Sequence, residues 1–161
     1  MKKENLIVKI NKPLWFRTFL FYSLPAAFFS GLRIQSVDEH EATVVMRYSW
    51  FSKNPFRSIY FACLAMAAEM SSGILALVHT GDKQPRVSML VLGMRSSFHK
   101  KAVGRIRFVC TEGDRIQAAI DEAVHTGNGT TVEAYSKGLD ENDTCIAEFW
   151  ITWTFKQTRK N

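Results

Sequence analysis

Long uninterrupted apolar runs, paired cysteines and metal-type ligand spacings are all missing from this chain, and each absence narrows what it can do. A membrane span needs about 18 consecutive apolar residues. Arg17 and Pro25 interrupt residues 14–32, and Glu69 with Ser71-Ser72-Gly73 interrupts residues 59–78. An integral membrane protein is therefore not expected, and attachment of the first segment to a membrane surface is the weaker alternative. Cysteine is limited to Cys63, Cys110 and Cys145, an odd number set far apart inside apolar patterns. They read as small core residues of a reducing compartment, which points to the cytoplasm. With no Cys/His spacing of the metal type, neither a metal nor another cofactor is expected. The start, Met1-Lys2-Lys3, leads into Glu4 and only a brief Leu6-Ile7-Val8 run before Lys9, too little for a signal-peptide core. Internal repeats and low-complexity segments are absent as well.

What is present fits one globular domain over residues 1–161, with residues 1–32 as an amino-terminal helical extension. Hydrophobic residues make up 47% and aromatics 12%, which excludes disorder. The net charge of +6 favours anionic partners in general. Nucleic acid is the weakest of these, because the basic residues are not interleaved with a recognisable recognition element.

Asn11-Lys12-Pro13 resembles a helix start, and the helix runs toward Ser30-Gly31 with a break near Pro25. Strands are predicted over 33–37 and 42–48, joined by the Asp38-Glu39-His40 turn, followed by a loop at 52–55. A long helix opens at Arg57 or Ser58 and ends near Thr80-Gly81. Strands over 87–98 and 104–111, a helix over 114–125 capped by Asp114 and ended by Asn128-Gly129, and strands over 130–136 and 147–155 complete the order. The fold class is α+β: a mainly antiparallel sheet of about five to six strands wrapped around one long buried helix. An open sheet edge predicts dimerisation. Asp140, Glu141 and Asp143 read as solvated turn residues, and His40, His79 and His125 as single surface or capping residues.

The central helix is apolar on every side yet holds one carboxylate, Glu69. Apolar surroundings penalise the charged form and raise its pKa, which suits proton transfer or direct attack in a dry cleft. Otherwise the acid meets a backbone group or an arginine at a subunit interface. Ser71 and Ser72 lie within a turn of it; each either contacts the carboxylate or substrate, or bonds a backbone carbonyl, as small hydroxyl residues in buried helices usually do. Asn54, ahead of Pro55, has a plain turn reading beside a catalytic one.

This order of elements, with Asn54 ahead of the helix, Tyr60-Phe61-Ala62 at its opening and Glu69 some two and a half turns on, resembles the hotdog-fold acyl-thioesterases. The likeness is to the phenylacetate-type branch and the bacterial relatives grouped as domain of unknown function 4442. Phe98-His99-Lys100-Lys101-Ala102 with Gly104 is similar to that family's step between the third and fourth strands, and Trp153-x-Phe155-Lys156 to its closing strand. The resemblance implies hydrolysis of acyl-CoA or acyl-phosphopantetheine thioesters by a homodimer or a dimer of dimers. Glu69, from the facing subunit, serves as general base or nucleophile; amides near Tyr60, Phe61 and Ala62 form the oxyanion hole; Asn54 orients water or the thioester oxygen, and Ser72 helps hold substrate. Arg95, His99, Lys100 and Lys101, with Arg105 and Arg107 beyond them, meet the phosphates of coenzyme A, which enters only as part of the substrate. Tyr60 and Phe61 stand where the family usually has His and Gly. That departure keeps a second reading open, a non-catalytic acyl- or CoA-binding or scaffold protein of the same shape.

Overall fold

The computed structural model describes residues 3–158; Met1 and Lys2, the first residues of the stretch weighed above as a signal, lie outside them. Helices α1 (Lys3–Ile10), α2 (Pro13–Ser23) and α3 (Pro25–Phe29) come first. Pro13 opens α2, where a missing N–H leaves nothing unpaired. Pro25 forces the residue before it out of helical geometry, and Leu24 accordingly takes φ −140° and ψ 64°. Helix α1 is an addition to the expected order. Its Leu6 and Ile10, one turn apart on one face, are both buried, and that pairing rather than the short Leu6-Ile7-Val8 run makes the segment helical.

Six strands follow: β1 (Arg33–Val37), β2 (Ala42–Arg47), β3 (Val87–Phe98), β4 (Arg105–Cys110), β5 (Thr130–Leu139) and β6 (Cys145–Gln157). They form one sheet in the order β1-β2-β4-β5-β6-β3, with every pairing antiparallel. Between β2 and β3 runs the long helix α4 (Phe61–Thr80), and between β4 and β5 the helix α5 (Gly113–Thr126). The sheet wraps α4. Ala42, Val44 and Met46 of β2 and Ile106, Phe108 and Cys110 of β4 face the core, where Ala67, Ala68, Leu75 and Ala76 of α4 are fully enclosed. Small residues on α4 let strands approach closely; Ser71 Oγ donates to the Ala68 carbonyl at 2.7 Å and pairs with Ser136 Oγ on β5 at 2.7 Å. Gly138 of β5 gives room to the Phe108 ring, whose atoms would lie 2.7 Å from any added Cβ.

Several boundaries differ from the expected ones for physical reasons. α4 starts at Phe61, not at Arg57 or Ser58, because Ile59 is held extended by a bridge to Lys53 and by its N–H donating to the Ala102 carbonyl at 2.9 Å. In α5 the cap is Glu112, with Asp114 in the first turn, and the helix ends at Gly127 in left-handed geometry (φ 70°) rather than at Asn128-Gly129. Strands β5 and β6 pair as far as Leu139 and Cys145, so the turn between them is shorter than the polar run suggests. α4 is the one helix among the described residues long and apolar enough to cross a membrane, and 61% of its most apolar window is buried inside the protein.

Candidate active site

Glu69 projects from the middle of α4 into a cavity of about 380 Å³. One wall is built by the amino-terminal helices through Leu6, Ile10, Trp15, Phe16, Phe19 and Leu24; α4 supplies Met70, Ile74 and Leu77, and β3 supplies Met89. Glu69 is the only charged side chain on this lining. Its carboxylate has no hydrogen bond or ion pair among the described residues, and burial alone raises its pKa above the ordinary 4.5. Among the described residues, neither a backbone group nor an arginine meets the carboxylate.

The local sequence makes room for the acid. Gly73 sits one turn on, and a Cβ there would stand 3.2 Å from Glu69 Oε1 and 3.2 Å from the Trp153 ring. Behind it, the buried Trp153 indole N–H donates to Ser72 Oγ at 2.9 Å, and Ser72 Oγ donates to the Glu69 carbonyl at 3.1 Å. Ser72 thus bonds the backbone and braces the helix under the acid. Its hydroxyl is taken up there rather than presented to the cavity.

At the helix opening, Tyr60 is the cap and its N–H donates to the Ser52 carbonyl at 2.7 Å. The amides of Cys63 and Leu64 turn back to the Tyr60 carbonyl, at 2.9 and 3.3 Å. That leaves Phe61 and Ala62 as the amides in this group with no partner among the described residues, at the positive end of a 20-residue helix. Of the three positions expected to form an oxyanion hole, Tyr60 is therefore engaged elsewhere. The Tyr60 and Phe61 rings, 46% and 56% exposed, stand edge to face beside the free amides, with centroids 4.9 Å apart. Asn54 braces the approach: its Oδ1 accepts from the Phe56 N–H at 3.0 Å and the Ser58 N–H at 3.2 Å, and its Nδ2 donates to Ser58 Oγ at 3.0 Å.

Glu69 and the free amides do not meet within one chain. Seven or eight residues separate them on α4, which is about 11–12 Å along the axis at 1.5 Å per residue. A carbonyl held by Phe61 or Ala62 is out of reach of the same chain's carboxylate.

The basic residues expected near coenzyme A are mostly paired. Arg95 forms a two-pronged contact with Glu133 and lies over the Trp150 ring, His99 meets Glu148 at 2.7 Å, and Lys100 meets Asp140 at 3.3 Å. Arg107 pairs with Asp143, Arg105 donates to Gln35, and Lys101 is exposed. Asp143 is a solvated turn residue as expected, but Asp140 is not: its Oδ1 accepts the amides of Asn142 and Thr144, which lowers its pKa. His99, Cys145 and Glu148 bring possible ligand atoms within 4.8 Å of one another. Glu148 already holds His99 and the Tyr135 hydroxyl, so the trio is closed by its own hydrogen bonds.

One residue departs from its expected surface role. His79 is completely buried near the end of α4, with Nε2–H donating to the Glu39 carbonyl at 2.8 Å and Nδ1 unpartnered. Only its place on the inward face of an apolar helix, one turn after the buried Leu75, signals this burial in the sequence.

The chain belongs to the family described as a domain of unknown function, DUF4442, whose model matches residues 16–155. No curated protein matches it. Among solved structures it is similar to a protein of unknown function from Pseudomonas aeruginosa described as a probable thioesterase. That likeness has a TM-score of 0.74 and 21% identity, covering 98% of this chain and 97% of that one. A thioesterase from Haemophilus influenzae superposes with a TM-score of 0.66 at 12% identity, covering 93% and 94%. A mutant thioesterase from Pseudomonas aeruginosa gives 0.70 at 13% identity, covering 94% of each chain. At these identities the likeness establishes the fold, which is the hotdog fold.

Proposed function

We propose that this member of the DUF4442 family is a thioesterase that hydrolyses acyl-CoA or acyl-phosphopantetheine thioesters, with Glu69 as its general base or nucleophile. The observation that carries the reading is an unpartnered carboxylate on the wall of a cavity that is otherwise apolar. In the general-base route the acyl chain lies in the cavity and Glu69 takes a proton from water as the water oxygen bonds to the thioester carbon. The carbonyl oxygen gathers negative charge and is held by the Phe61 or Ala62 amide. Collapse re-forms the carbonyl and breaks the C–S bond, and the proton passes from Glu69 to the departing thiolate.

On this reading the acid and the amides, separated along α4, come from two protomers of a homodimer or a dimer of dimers. β3 is the edge that supports this. It is 12 residues long, has no strand on its outer side among the described residues, and exposes Leu90 and Leu92 to 64% and 59%. An exposed edge of this length, broken by one bulge at Leu92, is a template for pairing with another chain. Of Arg95, His99, Lys100 and Lys101, it is Lys101 that is left for phosphate, since the other three already have carboxylates. The three cysteines are free, which fits a reducing, cytoplasmic setting.

A second reading, a non-catalytic acyl-binding protein, draws support from the engaged Tyr60 amide and the two rings crowding its neighbours. Hydrolysis of a panel of acyl-CoAs by the wild type and by Glu69→Gln separates the two. Loss of turnover in the variant supports the enzyme; acyl-CoA binding by both proteins without hydrolysis supports the binder; equal hydrolysis by both removes Glu69 from the chemistry.

A further inference from the structure

The outer face of β1, β2 and β4, turned away from α4, gathers arginines, none of which lines the Glu69 cavity. Strand register puts them together. Arg47 stands directly opposite Arg105, Val45 opposite Arg107, and Arg33 of β1 opposite Val45. Directly opposed like charges weaken a strand pair unless something neutralises them.

Neutralisation within the chain is incomplete. Arg107 meets Asp143 and the Asp140 carbonyl, but Arg105 has, among the described residues, only the neutral Gln35 Oε1, at 2.8 Å. The guanidinium groups of Arg33 and Arg47 have no hydrogen-bond or ion-pair partner among the described residues. By contrast, Lys3, Lys83, Arg95, Lys100 and Arg115 each touch a carboxylate. Between the three arginines lies a groove of about 450 Å³, edged by Gly31 and Ser49 and floored by Val45 and Met46, with no acidic residue on its lining.

We propose that this groove is a binding site for a phosphate-bearing ligand, with Arg33, Arg47 and Arg105 closing on the phosphate from three adjacent strands. Guanidinium offers paired N–H donors in the geometry of phosphate oxygens, and a bound dianion converts the repulsion between Arg47 and Arg105 into attraction to a common centre. Next along the chain to Gly31 and Ser49 at the groove's edge stands a group of exposed rings. Phe29, Trp50 and Phe51 are 48%, 71% and 60% exposed and pack as one group, with centroids 5.6 Å apart for Phe29 and Phe51 and 5.0 Å for Trp50 and Phe51. The ligand is thus a phosphate ester with a flat or apolar body, either a soluble nucleotide-like ester or the headgroup of an anionic lipid. The site lies on the opposite face of the sheet from α4, and its test needs no thioester hydrolysis.

Titration of the full chain with pyrophosphate and with adenosine 3′,5′-bisphosphate tests the soluble source, and sedimentation with phosphatidylglycerol against phosphatidylcholine vesicles tests the lipid source. Arg47→Gln/Arg105→Gln should weaken binding by about tenfold or more. Lys137→Gln/Lys156→Gln, which removes the same charge elsewhere, should leave it unchanged. Without ligand, the arginine variant should unfold at the same temperature as wild type or higher, since an opposed like-charge pair is gone. Binding of either source that follows this pattern supports the site and identifies the ligand class. Absence of binding to all of these probes, or equal loss in both double variants, overturns it and leaves the arginines as a solvated face.

Discussion

Replacing Glu69 with Gln removes a charge and keeps the shape, so it isolates what the carboxylate does. As general base its loss should lower kcat by about 10²–10⁴-fold with KM little changed. Wild-type kcat/KM should rise with pH through a pKa above 4.5, because burial raises that of Glu69 and no cation counters it. Stability should move in the opposite direction to activity. The folded chain keeps this proton to higher pH than the unfolded chain, so it binds more protons in that interval and loses stability as pH rises. The contribution is full below the unfolded value near 4.5 and is lost as pH climbs through the raised folded value. Gln carries no such dependence, so the variant should be the more stable protein at about pH 8, with the difference gone at about pH 4. Each tenfold change in proton affinity is worth about 1.4 kcal/mol, or roughly 3–6 °C in Tm for a domain of this size. Thiol release from acyl-CoA and thermal unfolding at the two pH values measure both halves. Unchanged turnover, or a variant less stable at pH 8, would refute the placement of an unpaired, desolvated acid at this position.

His79 works in the reverse sense. Burial lowers its pKa, so stability is full above the unfolded value near 6.5 and falls as pH drops toward the folded one; denaturant titrations should show that acid-side loss in wild type and a flatter profile in His79→Gln. Ser72→Ala strands the buried Trp153 indole N–H and should lower stability by about 1–3 kcal/mol in urea. Gly138→Ala places a Cβ 2.7 Å from the Phe108 ring and should cost about 1–3 kcal/mol, whereas Gly93→Ala, with nothing within 4 Å, should be close to neutral in the same assay. Leu92→Lys at the bulge of the edge strand β3 should shift the protein toward monomer in sedimentation velocity and lower hydrolysis with it, while an unchanged mass would remove β3 from the interface.

Helix α4 was legible because periodicity is unnecessary in a helix buried all round: twenty residues of small and apolar side chains bounded by a loop and Gly81 identify it. The exact matches of β1 and β3, and the near matches of β2 and β4, rest on alternation between turn residues. What sequence could not supply is who touches whom. Nothing local says that Asn54 binds its own loop, that Ser52 takes the Tyr60 amide, or that His79 is enclosed by packing against the β1–β2 turn. The acidic partners of Arg95 and Lys100 lie 38 and 40 residues away along the chain, so a run of cations that looks open as text is largely neutralised in space.

The amino-terminal helices change meaning by the same logic. Read alone, their aromatic run looks like membrane chemistry, but in the fold Leu6, Ile10, Phe16 and Leu20 are buried, and Trp15, Phe19 and Leu24 join the wall opposite Glu69. Without them, α4 and β3 would leave the acid open to water on one side, and its pKa would return toward that of an ordinary carboxylate. The extension is therefore what makes Glu69 a candidate base. The free amides at the start of α4 lie beyond reach of the same chain's acid, so the proposed reaction takes its oxyanion donors from a second copy whose helix start lies against the first copy's cavity.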